Sequence, residues 1–223
     1  IRFSEDLHTG LKRSGATLAE QRQLLRHSSL EVSSMITPKI EALLSEVLRI
    51  CGVQRDSVAC FVKNEEKINA ECALTADDGA AIIVSSGVFN SLNPEEIKFV
   101  LGHELGHFIF NHGGNSADTP ESLWMSRAAE ISSDRIGMLA AGSLMPALGT
   151  IVKCLSGLSD DYIRLDISEL LGGLESSRSV RQMSAASTHP SLIFRARALL
   201  HWDMIKTLNS ENIAVVNQRI SRD

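Results

Sequence analysis

Length, composition and charge set the first limits on what this chain can be. Its 223 residues are enough for one domain with its own hydrophobic core. Hydrophobic residues make up 43% and charged residues 22%, which is ordinary for a globular domain and argues against disordered and fibrous proteins. The net charge of -5, without a basic cluster, argues against nucleic acid as a partner.

The cysteines and the apolar stretches bear on location. The four cysteines follow no CxxC spacing: Cys51, Cys60, Cys72 and Cys154. This pattern is typical neither of a thiolate zinc site nor of a disulfide framework, so we expect free thiols and a cytoplasmic location, with a periplasmic or membrane-associated one as the alternatives. The longest uncharged stretch, residues 136–152, contains Pro146 and three glycines, and we expect buried helices there rather than a transmembrane segment. No signal peptide is visible after Ile1, although a trimmed N-terminus would hide one.

The beginning of the chain predicts two units of different character. Residues 1–35 are polar with few apolar anchors, and we expect an N-terminal helical arm over 1–35 and one domain over 36–223. Thr37 is a capping residue type and Pro38 suits a first helical position. Apolar residues then recur at helical spacing up to Cys51, which predicts an amphipathic helix.

The remaining sequence predicts a small sheet followed by helices. Strand-like stretches occur at residues 58–62, 68–74 and 81–85, with turn residues at 77–79 between the last two. We therefore predict a three-stranded, partly antiparallel sheet. Helical patterns follow at about 94–111, 120–142, 144–157, 160–173 and 190–209. The predicted fold class is α+β and mostly helical.

The sequence HELGH at residues 103–107 is the first motif that indicates chemistry. It lies in a helix whose start is marked by Asn93 and Pro94. Residues four apart lie one turn apart on a helix, so His103 and His107 can bind the same metal ion. Glu104 lies about 100° from His103 around the axis, where it can activate a water molecule without binding the metal.

A catalytic zinc site needs a third protein ligand and an open position for water. His112 is the nearest candidate, but it follows His103 by nine residues, and a continued helix would turn it away. Glu130 and Asp134 lie on one face of the next predicted helix, where Glu130 could meet both histidines. The alternative is a solvated acidic face paired with neighbouring arginines.

The chain resembles a known family in four stretches. They are NAECAL at 69–74, IIVSSGVFNSLNPEEIKFVLGHELGH at 82–107, EISSDRIG at 130–137 and THPSLIFRARAL at 188–199. Together they resemble the M48 family of zinc metallopeptidases, in the gluzincin group, which includes the Ste24 and HtpX proteases. The resemblance implies a zincin-like metallopeptidase domain over 36–223 with HELGH on its active-site helix. Because the transmembrane helices of the integral members are missing, we expect a soluble member.

The resemblance also implies roles for individual residues. Glu130 becomes the third ligand of one zinc ion per chain, and Asp134 a carboxylate that orients a ligand histidine, His103. His189 is implied to reach the active site, where it binds substrate or stabilises the oxyanion, with Arg195 bracing it.

The resemblance places the substrate along the strand at 69–74. An extended peptide would pair its main chain with an exposed edge of the sheet. We therefore expect Asn69, Ala70 and Cys72 to contact substrate.

The predicted function is a zinc-dependent endopeptidase with a peptide or an unfolded protein as substrate. In this prediction Glu104 is the general base that takes a proton from the attacking water. Two alternatives stay open: a non-catalytic interaction module that zinc stabilises, and an aminopeptidase.

Overall fold

The computed structural model describes residues 15–112, 120–167, 169 and 190–220, with residues 120 and 208–220 described by their backbone alone. In chain order the helices are α1 (Leu18–Leu25), α2 (Pro38–Cys51), α3 (Ser86–Ser91), α4 (Pro94–Ile109), α5 (Pro120–Ala141), α6 (Leu144–Ser156) and α7 (Leu192–Ile220). The strands are β1 (Leu30–Glu31), β2 (Val58–Lys63), β3 (Ala70–Leu74) and β4 (Ala80–Ser85). The α+β class, mostly helical with a small sheet, is confirmed.

The sheet has four strands in the order β1-β2-β4-β3, so the predicted number of three was wrong. β2 runs parallel to β4, whereas β1 and β3 run antiparallel to their neighbours. The additional strand, β1, is two residues long and lies within the stretch predicted as a helical arm. A segment this short has no room for an alternating apolar pattern, which is why the sequence does not reveal it.

The two faces of the sheet are covered differently. One face packs against α4 and contributes to the main hydrophobic core, which also contains residues of α2. On the opposite face Leu18 of α1 packs with a small cluster of buried residues from β2 and β4: Ala59, Phe61, Ala81 and Ile83. The described part of the predicted arm therefore contacts the sheet directly, and the division at residue 35 stays a prediction.

The helices follow the predicted order, with two differences. α3 was not predicted, because its six residues are too few to show helical periodicity. Residues 160–166 of the helix predicted over 160–173 form only a short 3-10 turn at Asp160–Tyr162, whereas residues 167 and 169 are helical. Most of its remaining residues lie outside the described part of the chain. No helix among the described residues is both long enough and apolar enough to cross a membrane.

Helices α4 and α5 pack closely because glycines lie where they cross. A Cβ atom on Gly102 would lie 2.6 Å from the Cβ of Ala140, and one on Gly106 would lie 2.7 Å from the Cα of Ser133. Neither distance is tolerated between real carbon atoms, so both positions require glycine at this separation. The close contact brings α5 within reach of the HELGH face of α4.

Candidate metal centre

The HELGH sequence lies in the second half of α4, whose start is fixed by a capping box. The side chain of Asn93 accepts a hydrogen bond from the main-chain N–H of Glu96, and the Glu96 carboxylate accepts one from the N–H of Asn93. From this fixed start, helical periodicity carries His103 and His107 to one face. Both imidazoles are buried, as is the carboxylate of Glu104.

Three side chains converge where α4 crosses α5. The Nε2 atoms of His103 and His107 are 3.1 Å apart. Oε2 of Glu130 lies 3.5 Å from Nε2 of His103, and its Oε1 lies 3.4 Å from Nε2 of His107. Glu130 is also buried, so the acidic side chain predicted as the third ligand faces the histidines rather than solvent.

These distances fit a four-coordinate zinc ion. Zinc–nitrogen bonds of about 2.05 Å in a tetrahedron place neighbouring ligand atoms about 3.3 Å apart, and each Nε2 atom lies at close to that distance from one of the two Glu130 oxygens. Two imidazoles and one carboxylate are a ligand set of catalytic zinc sites, which leave the fourth position to water. Among the described residues this is the group of histidine, cysteine and acidic side chains that could hold a metal ion.

The outer nitrogen of His103 is held by a buried ion pair. Nδ1 of His103 lies 2.9 Å from Oδ1 of Asp134, and the Arg195 guanidinium donates to both oxygens of that carboxylate, with 2.7 Å from Nε to Oδ2. Burial alone would raise the pKa of Asp134, but the charge and hydrogen bonds of Arg195 outweigh it and hold that pKa below its ordinary value. An ionised carboxylate only accepts hydrogen bonds, so the proton of His103 lies on Nδ1 and leaves Nε2 for a metal.

His112 contacts the outer nitrogen of His107, which corrects the expectation that it faces away. Its Nδ1 lies 3.3 Å from Nδ1 of His107, and the two rings are nearly perpendicular. The expectation was wrong because it continued the helical rotation past Ile109, where α4 ends. An asparagine close behind the last helical residue is the sequence signal that would have predicted the turn.

The end of α4 is a Schellman motif. Asn111 has a positive φ of 51°, its N–H bonds to the carbonyl of Phe108, and the N–H of His112 bonds to the carbonyl of His107. Asparagine tolerates this left-handed conformation better than most residues with a side chain. The motif reverses the chain and lays His112 against His107.

Burial sets the protonation of the second histidine. It lowers the pKa of His107 to about 4, although the carboxylate of Glu130 acts in the opposite direction. His107 is therefore neutral at physiological pH. Neutral imidazole is the form that binds a metal ion.

Strand β3 runs beside Glu104. Burial raises the pKa of the Cys72 thiol well above its ordinary value, and the nearby carboxylate of Glu104 raises it further. The sheet order places β3 at an edge of the described sheet. The strand predicted to contact substrate therefore lies next to the predicted general base.

The pairing of β3 with β4 indicates which main-chain groups face the edge. The N–H of Ser85 bonds to the carbonyl of Asn69, and the N–H of Thr75 bonds to the carbonyl of Gly79. Alternate residues of an antiparallel strand point their N–H and C=O groups in opposite directions, so those of Cys72 point away from β4. Ala70 and Cys72 are buried as whole residues, at 2% and 4% exposure, so pairing with a peptide requires this edge to be uncovered.

Of the two site residues predicted in the last matching stretch, His189 and Arg195, the structure describes only Arg195. His189 lies outside the described residues. Arg195 lies near the start of α7, where its partner is Asp134. Its predicted role of bracing His189 stays a prediction.

Comparison with known proteins gives partial matches. The profile described as peptidase family M48 matches residues 35–118. The chain is 22% identical over 224 residues to the plastoglobule-localized metallopeptidase 48, chloroplastic, of Arabidopsis thaliana, which covers 83% of this chain and 63% of the relative. It is 27% identical over 77 residues to a protease HtpX homolog of Pediococcus pentosaceus, covering 34% of this chain and 25% of the relative. A protease HtpX homolog of Persephonella marina is 26% identical over 89 residues, covering 40% and 30%.

The matched regions cover only part of each relative. The chain spans less than two thirds of the length of each of these three relatives. No solved structure matches the chain significantly.

Proposed function

We propose that this chain, a relative of the M48 metallopeptidases, is a zinc-dependent endopeptidase in which His103, His107 and Glu130 hold one zinc ion. The observation that carries the proposal is the convergence of two Nε2 atoms, 3.1 Å apart, on one carboxylate, whose Oε1 lies 3.4 Å from His107 and whose Oε2 lies 3.5 Å from His103. In a buried site these separations suit a shared ion better than pairwise hydrogen bonds, because a carboxylate only accepts and Nδ1 of His103 already faces Asp134, so the three groups have few protons to share.

Glu104 supplies the acid–base chemistry of the proposed reaction. When bound, zinc would act as a Lewis acid and lower the pKa of a water molecule to about 7. A carboxylate oxygen of Glu104 takes the proton from the attacking water and later delivers it to the amine nitrogen that leaves. Glu104 is buried near both histidines, away from bulk water.

The remaining predicted residues position the ligands and the substrate. Asp134, clamped by Arg195, holds the ring of His103 through its Nδ1–H. An extended substrate would pair with the outer edge of β3 at Cys72, with Asn69 and Ala70 at the start of the same strand. His189 is proposed to donate to the oxyanion that forms on the scissile carbonyl.

The substrate class is inferred from the edge strand, and the location from the cysteines. Main-chain pairing along an edge strand recognises an extended chain rather than a free terminus, so we infer an endopeptidase that cuts peptides or unfolded proteins. Cys51 is half-buried and the other three cysteines are buried, all as free thiols, which supports a reducing compartment such as the cytoplasm.

The decisive test separates metal binding from catalysis. Glu104→Gln keeps the size of the side chain but removes its basicity, so we expect one zinc per chain and a loss of peptide hydrolysis of at least about a hundredfold. Glu95→Gln is the matched control, because it makes the same change on an exposed residue of the same helix. Metal analysis and digestion of an unbiased peptide library measure the two properties.

Two results would contradict the proposal. A wild-type protein that binds zinc but cuts no peptide in the library would be an interaction module. Cleavage confined to peptides with a free N-terminus would make it an aminopeptidase, which peptides with a blocked N-terminus would reveal.

A further inference from the structure

The two histidines of the candidate metal centre have different partners on their outer nitrogens. Nδ1 of His103 faces the carboxylate of Asp134 at 2.9 Å. Nδ1 of His107 faces no carboxylate among the described residues, and its partner is Nδ1 of His112 at 3.3 Å. The outer nitrogen of His107 therefore faces another imidazole and not a carboxylate.

The chemistry of a ligand imidazole fixes what its partner must do. If Nε2 of His107 gives its lone pair to a metal ion, the ring proton lies on Nδ1 and needs an acceptor. Nδ1 of His112 can accept only as an unprotonated nitrogen, so the proton of His112 then lies on Nε2. The opposite arrangement would place the His107 proton on Nε2 and prevent metal binding.

Two independent features hold His112 in this position. The Schellman motif at the end of α4 reverses the chain through Asn111 and ties the N–H of His112 to the carbonyl of His107 at 2.9 Å. On the other side, Oγ of Ser133 on α5 lies 3.4 Å from Nδ1 of His112. His112 is thus held between the end of α4 and Ser133, which lies about one turn after Glu130 on α5.

We propose that His112 is a positioning residue, whose Nδ1 accepts the Nδ1–H of His107 and thereby fixes the ring and the tautomer that binds the metal. This inference rests on the proposed function, because it assumes that His107 is a metal ligand. It adds a fifth side chain on which the metal centre depends, beside the three ligands and Asp134. Residues that orient metal ligands in this way typically contribute tenfold to a hundredfold to metal affinity.

A matched set of substitutions tests the acceptor directly. The side-chain oxygen of asparagine can occupy the place of Nδ1, whereas that of glutamine reaches the place of Nε2. We expect His112→Ala and His112→Gln to weaken zinc binding by about tenfold or more, and His112→Asn to stay within about threefold of wild type. The measurement is the zinc dissociation constant by competition with a chromophoric chelator, with thermal unfolding of the metal-free proteins to check that each variant folds.

The outcomes separate this inference from the proposed function. Wild-type zinc affinity in His112→Ala and His112→Gln would overturn the positioning role while leaving the peptidase proposal intact. Equal weakening in all three variants would also overturn it, because packing of the ring and not an acceptor would then be responsible. A wild-type protein that binds no zinc would overturn both proposals.

Discussion

At the scale of single residues, Asp134 and Arg195 form a buried ion pair that neither partner can leave without cost to stability. Both side chains are almost fully buried, and the guanidinium donates to both carboxylate oxygens. Breaking such a pair by removing one partner leaves an uncompensated buried charge, which typically costs about 3–5 kcal/mol. We therefore expect Arg195→Met to lower the free energy of unfolding of the metal-free protein by about that amount in urea titrations.

Two further measurements test whether the unpaired charge on Asp134 causes the loss of stability in Arg195→Met. Adding Asp134→Asn to Arg195→Met should recover part of the lost stability, because it removes the unpaired charge. In Arg195→Met, burial without the guanidinium raises the pKa of Asp134, so lowering the pH from neutrality protonates it and should narrow the deficit relative to wild type. A deficit that is independent of pH and unchanged in the double variant would contradict this account.

At the scale of elements, the crossing of α4 and α5 determines whether the third ligand reaches the histidines. Gly106 lies one residue before His107, and a Cβ atom there would meet the Cα of Ser133 at 2.7 Å. Gly106→Ala gains about 1 kcal/mol of helix propensity but overpacks the crossing, which typically costs about 1–3 kcal/mol. We expect a net loss of stability and weaker zinc binding, because the helices must separate.

Thermal unfolding and chelator competition measure the two effects. Gly15→Ala is the control, since a Cβ atom at Gly15 meets nothing within 4 Å. Unchanged zinc affinity in Gly106→Ala would show that the crossing tolerates a methyl group. The separation of α4 and α5 would then not set the geometry of the site.

The elements also show what the sequence can and cannot predict. The capping box of Asn93 and Glu96 and the helical spacing of His103 and His107 are local patterns, so both were visible before any coordinates. Thr37 is the N-cap residue of α2 and Pro38 its first residue, as predicted, but the side chain of Thr37 bonds to the main chain of Ser33 instead of to the helix. The position of His112 was predicted wrongly because it depends on where α4 ends, at Ile109.

At the scale of the whole molecule, the outer face of the sheet depends on the N-terminal segment. Leu18 of α1 is 7% exposed and covers the cluster that contains Phe61 and Ile83. The capping box of Thr17 and Glu20 fixes the start of α1, and the N–H of Leu18 donates to Asp77 in the turn between β3 and β4. Sequence polarity alone suggested a separate arm here, because one buried leucine does not make a visible periodic pattern.

The contribution of this segment can be measured with two leucines of the same helix. Leu18→Ala should lower the free energy of unfolding by about 2–3 kcal/mol, the cost of a cavity at a well-packed buried leucine. Leu24→Ala, at a leucine that is 63% exposed, should change it by less than about 0.5 kcal/mol. Equal effects in urea titrations would mean that α1 is not packed on the sheet in solution, and residues 1–35 would then be the separate arm that the sequence predicts. A large difference would make α1 part of the domain that carries the metal centre, because the strands it covers include β4, the partner of the strand proposed to bind substrate.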